Sequence, residues 1–235
     1  MFTDRQSIIR KLNKNIRPSA DRIMTTLLQL LQNAYAHSTI QEDIFLAVGA
    51  LTTALEEYFG AYLDSFAPYL YSALANHEEY QLCSIAIGLI GDISRALGEN
   101  VFPYCDNFMT HLLNDIQSGV LDSSVKPAIL SCFGDIALAI GARFENYLTF
   151  VMQVLQQASG VRIDPTTSFD MIDYVNSLRE GIVEAYVGIT QAMKSGGRAQ
   201  LLIPYVQHIF GFLSVVHNEV DKTEPLTRGI IGLLG

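Results

Sequence analysis

The residues able to do acid–base, nucleophilic or metal chemistry are few in this 235-residue chain, and they are badly spaced for it. The five histidines (His37, His77, His111, His208 and His217) are scattered, with no H-E-x-x-H and no Cys/His ligand spacing. Cys83, Cys105 and Cys132 form no C-x-x-C motif. Cys83 and Cys132 lie in apolar helical stretches and read as small buried thiols in a reducing compartment. The adjacent pairs Glu56-Glu57 and Glu78-Glu79 point to different faces of a helix, so neither makes a carboxylate dyad. Ser195-Gly-Gly-Arg198 lacks the G-K-[ST] ending of a phosphate loop, and Gly88-x-x-Gly91 falls inside a helical pattern. These residues predict no catalytic group, no metal site and no cofactor. An enzyme is the least supported class.

The elements that carry these residues repeat. Five points mark a short loop turning into an apolar helix: Pro18, Ala61, Pro103, Asn146 and Pro204. Five and six residues on come Ile23/Met24, Phe66/Ala67, Phe108/Met109, Val151/Met152 and Ile209/Phe210. Nine residues on come Leu27, Leu70, Leu112, Leu155 and Leu213. The intervals between starts are 43, 42, 43 and 58 residues. Two helical patterns fill each interval. A helices are expected at 41–58, 79–97, 125–140 and 169–193, and B helices at 19–33, 62–75, 103–116, 146–158 and 200–216. In the third A helix Ile129, Phe133, Ile136 and Ile140 form one apolar stripe. No stretch alternates with period two, so no sheet is expected.

This pattern predicts an all-α fold, an α-solenoid of about five HEAT-type repeats built from antiparallel helix pairs in a right-handed superhelix. The units are 1–37, 38–77, 78–120, 121–160 and 161–218, with a partial unit at 219–235, in a single array. The incomplete last unit, and a start (Asp4–Asn13) that looks like the tail of an A helix lacking its beginning, read as a section of a longer solenoid. Loops at 75–77, 117–119 and 158–160 carry Asn or Gly, where left-handed caps would close the B helices. A longer loop, Ser159–Ser168, accounts for most of the stretched interval. Gly91-Asp92 and Gly134-Asp135 fall mid-helix. There the Gly would allow close helix approach, and the Asp would need a donor such as Arg95.

Net charge is −9 and uneven. Residues 1–22 carry six Lys/Arg (Arg5, Arg10, Lys11, Lys14, Arg17, Arg22) against two Asp, and the rest of the chain balances at −13. Such a body repels polyanions, so no nucleic-acid partner is expected, whereas a basic peptide would be attracted. The N-terminus lacks a signal-peptide apolar core. The most apolar stretch, Leu201–Val216, is interrupted by Gln207 and His208 and is short for a membrane span. An intracellular, soluble protein is expected.

Several strings go beyond shared helix pattern: QEDIFLAVGAL from Gln41, EYQLCSIAIGLIGDISRAL from Glu79, SVKPAILSCFGDIALAIG from Ser124, LQQAS from Leu155 and DMIDYVNSLREGIVEAY from Asp170. Over essentially the whole chain they resemble the importin-β (karyopherin-β) nuclear transport receptors, in the C-terminal part of their HEAT-repeat array. The resemblance implies a protein-binding scaffold for import, working in cytoplasm and nucleus and at the pore complex. It implies Phe-Gly nucleoporins on convex A helices and the basic importin-β-binding segment of importin-α on concave B helices. It implies Ran too, mainly through parts of the receptor outside this chain. A HEAT scaffold of another class, such as a phosphatase scaffold or coat subunit, is the alternative.

Phe-Gly binding needs an apolar slot between neighbouring A helices, at 41–58, 79–97 and 125–140. The candidates for nucleoporin binding are Leu51, Leu55, Ile90, Ile93, Phe133 and Ile140, with Phe133 favoured by its place in CFGDIALAIG. Near B helices, Asp64, Asp106, Asp115 and Glu145 are the candidates for pairing with Lys/Arg of importin-α.

Overall fold

The computed structural model describes residues 13–33, 39–162, 169–218 and 223–234. Regular structure among them is entirely helical. Ten α-helices follow one another: α1 (Ala20–Asn33), α2 (Thr39–Leu55), α3 (Gly60–Leu74), α4 (Tyr80–Leu97), α5 (Cys105–Gln117), α6 (Lys126–Ile140), α7 (Glu145–Ala158), α8 (Phe169–Ser195), α9 (Val206–Asn218) and α10 (Glu224–Leu234). Even-numbered helices are the A helices expected from sequence, and odd-numbered ones the B helices. The chain groups into two compact units, Met1–Val125 and Lys126–Gly235.

In the first unit a helix touches its neighbour and the next-but-one. Helix α1 packs on α2 and α3, α2 on α4, and α3 on α4 and α5. That is the contact pattern of stacked helix pairs. Each pair is a hairpin: Phe45 of α2 and Phe66 of α3, nearly equidistant from the corner at 55–56, meet with ring centroids 5.1 Å apart. In the second unit α6 packs on α8, α8 on α10, and α7 on α8.

The repeat positions explain the core. Met24, Leu27, Phe66, Leu70, Phe108, Leu112, Val151, Leu155, Ile209 and Leu213 are all buried. Phe210 breaks the pattern, since it is 56% exposed and points outward.

The left-handed residues lie elsewhere than expected. Described residues with positive φ are Glu56 (54°), Gly98 (54°), Gly141 (57°) and Gly197 (68°). All four stand where an A helix turns toward its B helix, which a single left-handed residue followed by a 3₁₀ turn accomplishes. The B helices end with Ala75, Ser118 and Ser159 at negative φ. After α5 the Ser118 hydroxyl accepts the N–H groups of Val120 and Leu121, so no left-handed residue is needed there. The same 3₁₀ turns delay two helix starts. Residues Gly98–Tyr104 and Ala199–Tyr205 take up Pro103 and Pro204, and the α-helices begin at Cys105 and Val206.

Three stretches are long and apolar enough to cross a membrane by length and composition: Thr39–Leu74, Ser123–Ala158 and Ala199–Asn218. This corrects the expectation that Leu201–Val216 is too short. The first two owe their length to joining two helices through a corner, and about half of the most apolar 18 residues in each is buried within the fold.

Candidate functional site

Helices α2 and α4 leave an open cleft of about 660 Å³ between them, within the first unit. Its walls follow from four-residue spacing, which puts side chains one turn apart on one face. Phe45 and Leu46 stand opposite Ile85 at one end. Gly49 and Ala50 stand opposite Gly88 and Leu89 in the middle. Thr53 and Ala54 stand opposite Asp92 and Arg95 at the other end. Phe45 and Leu89 are buried and form floor, while Leu46 is 40% exposed and forms rim. Gly88 leaves the middle open, whereas Gly49 lets α4 side chains come close. A side chain begun at Gly88 would meet nothing within 4 Å, and one begun at Gly49 would touch Leu89 at 3.6 Å and Asp92 at 3.4 Å. The cleft has the size and mainly apolar lining of a site for one small apolar group. Asp92 and Arg95 close its polar end with a 2.6 Å ion pair.

The expected slot between the helices at 41–58 and 79–97 is therefore present, but its lining differs from the candidates. Leu51, Leu55, Ile90, Ile93, Phe133 and Ile140 are all 2% exposed or less. They are core and offer no surface to a ligand. An A helix in a stack is covered on three sides, by its own B helix and by the A helices before and after. The buried stripe is therefore wider than one helix face, and the accessible residues lie a quarter-turn away. Leu46, Gly49, Thr53, Ile85 and Gly88 were missed for that reason. The signal that could have found them is a pair of small residues on adjacent A helices, Gly49 and Gly88, in otherwise bulky stretches.

In the second unit the corresponding contact of α6 with α8 is closed by glycine. A side chain at Gly134 would fall 2.8 Å from the Glu184 carbonyl, and one at Gly188 would fall 2.5 Å from the Gly134 carbonyl. The expected close approach at Gly134 is thus present. On the same faces the Ser131 hydroxyl donates to Glu184 at 2.5 Å. In the other Gly-Asp pair, Asp92 bonds to Arg95 as expected, and its side chain is 38% exposed rather than in apolar surroundings.

Three of the four acidic candidates, Asp64, Asp115 and Glu145, bond to residues of a neighbouring repeat. Tyr104 donates its hydroxyl to Asp64, and Tyr62 donates to Asp21 in the same way one repeat earlier. Desolvation, followed by the bonded carboxylate, pushes both phenols up to about 12. Glu145 pairs with Arg198 at 3.2 Å. Asp106 is exposed in the first turn of α5, a favourable place for negative charge. Asp115 is 1% exposed and so cannot meet a partner chain. Its Oδ1 is 2.8 Å from His77 Nε2, and His77 Nδ1 is 3.2 Å from Ser118 Oγ.

Ser118, His77 and Asp115 are thus brought together in the order of a nucleophilic triad, which sequence spacing concealed. The oxygen is occupied, however, because it accepts from two backbone N–H groups. A nucleophile needs a free lone pair aimed at open space. This trio ties the end of α3 to the end of α5. In the second unit Ser159 Oγ and His208 Nε2, 2.9 Å apart, link the segment after α7 to α9.

A family model described as "Importin subunit beta-1-like, TPR repeats" matches residues 3–235. The repeat interval here exceeds the 34 residues of tetratricopeptide units and is closer to HEAT. Importin subunit beta-1 of Schizosaccharomyces pombe is 56% identical over 229 residues, which is 97% of this chain and 26% of that protein. Among solved structures, a crystal structure of importin beta matches with TM-score 0.95 at 50% identity, covering 97% of this chain and 28% of that one. A Kap95:Nup1 complex matches with TM-score 0.87 at 34% identity (97% and 26% covered), and a structure of Kap95p with RanGDP with TM-score 0.88 at 33% (99% and 27% covered). The chain thus spans about a quarter of the length of its relatives, and the match sets aside a phosphatase scaffold or coat subunit. The stacked helix pairs, the strings they contain and these matches make one conclusion: the chain belongs to the importin subunit beta-1 family.

Proposed function

We propose that this chain is part of a nuclear import receptor, working between cytoplasm and nucleus, and that its α2–α4 cleft takes the phenylalanine ring of Phe-Gly nucleoporin repeats. The observation that carries the reading is the open space at Gly88, flanked by the apolar side chains of Leu46, Ile85 and Leu89 and accessible to a ring from outside. A relative 34% identical has been solved with Nup1, which supports the partner class. One ring in one open cleft gives weak, fast-exchanging binding, suited to passage through a pore lined with many such repeats.

The test uses a fluorescent peptide with Phe-Gly repeats, titrated against the chain and against Gly88→Leu. Position 88 has room for a side chain, so the fold tolerates leucine while the cleft fills. Binding should weaken by ~10-fold or more with the melting temperature unchanged. No binding by the unaltered chain at high micromolar concentration would end this reading.

A second site class, for the basic segment of importin-α, is favoured by one observation. Outside its first 22 residues the chain is strongly acidic, and Asp106 is exposed on a B helix. Ran contact is carried over from the Kap95p relative in the same way.

A further inference from the structure

We propose that Asp92 sets the sequence preference of the α2–α4 cleft, by accepting a hydrogen bond from the main-chain N–H of the residue that follows the inserted ring. The inference rests on the aromatic-peptide reading of this cleft and names what that site recognises besides the ring. Three observations carry it.

The cleft is graded along its length. Leu46 and Ile85 mark the apolar end, and Thr53, Asp92 and Arg95 the polar end. A ring seated over Gly88 has Asp92 beside it, one turn along the same helix.

The two oxygens of Asp92 differ. Arg95 Nη2 donates to Oδ1 at 2.6 Å. Oδ2 faces across the cleft, 3.4 Å from where a Gly49 side chain would begin, and no donor among the described residues is bonded to it. An ionised oxygen held in a cleft by a neighbouring guanidinium is a strong acceptor in search of an N–H.

Thr53 donates its hydroxyl to the Gly49 carbonyl at 3.1 Å, so of the two oxygen acceptors at that end the carboxylate of Asp92 is the stronger. An aromatic residue followed by one with a free main-chain N–H meets both conditions: a ring for the cleft and a donor for Oδ2.

The experiment is a cycle of two proteins and two peptides. The proteins are the unaltered chain and Asp92→Ala. The peptides are a Phe-Gly repeat and the same peptide with N-methylglycine after each Phe, which keeps the ring and removes the donor. The unaltered chain should bind the N-methyl peptide ~10-fold more weakly than the Phe-Gly peptide, and Asp92→Ala should lose most of that difference. Any intrinsic effect of N-methylation on the peptide cancels in the cycle. Equal binding of both peptides by the unaltered chain, or the same discrimination by Asp92→Ala, would overturn the role of Asp92 while leaving ring binding intact. Failure of the unaltered chain to bind either peptide would overturn the ring reading and this inference with it. Melting curves separate lost binding from lost fold, and Asp92 is partly exposed and bonded, among the described residues, to Arg95 alone.

Discussion

Asp115 has two carboxylate oxygens and a partner for one. Oδ1 meets His77, and Oδ2 is buried without a hydrogen bond among the described residues. Desolvation raises its carboxyl above the ordinary carboxylate value, against the opposing pull of the His77 bond. A folded-state value above the unfolded one means that the folded chain holds the extra proton. Stability should therefore fall as pH rises from ~4 through that raised value. Asp115→Asn keeps an acceptor for His77 and should flatten the dependence, as read by melting temperature against pH. Phe133 is the contrasting case. It is fully buried, so Phe133→Ala should cost about 3–5 kcal/mol in denaturant unfolding, whatever it does to peptide binding. Sequence placed Phe133 on an apolar stripe and Asp115 near a B helix, and both placements hold. How deep each lies was not legible, because depth depends on which neighbouring helices cover the face. The bond between His77 and Asp115 joins residues 38 apart, a distance no local pattern reports.

At the scale of the element, the A-to-B corner is the recurring device. Three of its four left-handed positions are glycine and one is Glu56. A side chain at positive φ costs about 1–2 kcal/mol. Glu56→Gly should therefore stabilise the first unit by about 0.5–1 kcal/mol in chemical denaturation, after loss of the exposed 3.7 Å pair with Arg17. The helices themselves were legible to within a few residues, because apolar spacing sets them. The corners were not, because Asn and Gly in the B-to-A loops gave a stronger turn signal than Leu55-Glu56-Glu57 did. The cleft was half legible. The right pair of helices follows from the period, but its lining depends on the absence of side chains at Gly49 and Gly88, and apolar counting ignores glycine.

Across the whole molecule the governing quantity is charge. The excess of acidic over basic residues beyond position 22 should draw in a basic importin-α segment through long-range attraction. Binding of such a peptide should weaken steeply between low and physiological salt, since the Debye length shrinks to about 8 Å at 0.15 M. A flat salt response in a titration would remove the second site class. Phe-Gly binding in the α2–α4 cleft should respond far less, because its main contact is apolar.

The two kinds of A-helix contact also differ in compliance. Between α6 and α8, backbone lies against backbone at Gly134 and Gly188, and no side chain stands between them to change rotamer. That contact can shear only by moving main chain, so it acts as a stiff joint. The contact of α2 with α4 is spaced by Leu46, Ile85, Leu89 and an open gap, all of which can rearrange. It acts as a soft joint. An inserted ring would brace it as a wedge braces a hinge, so occupancy of the cleft would lower the elasticity of the first unit as well as tether it.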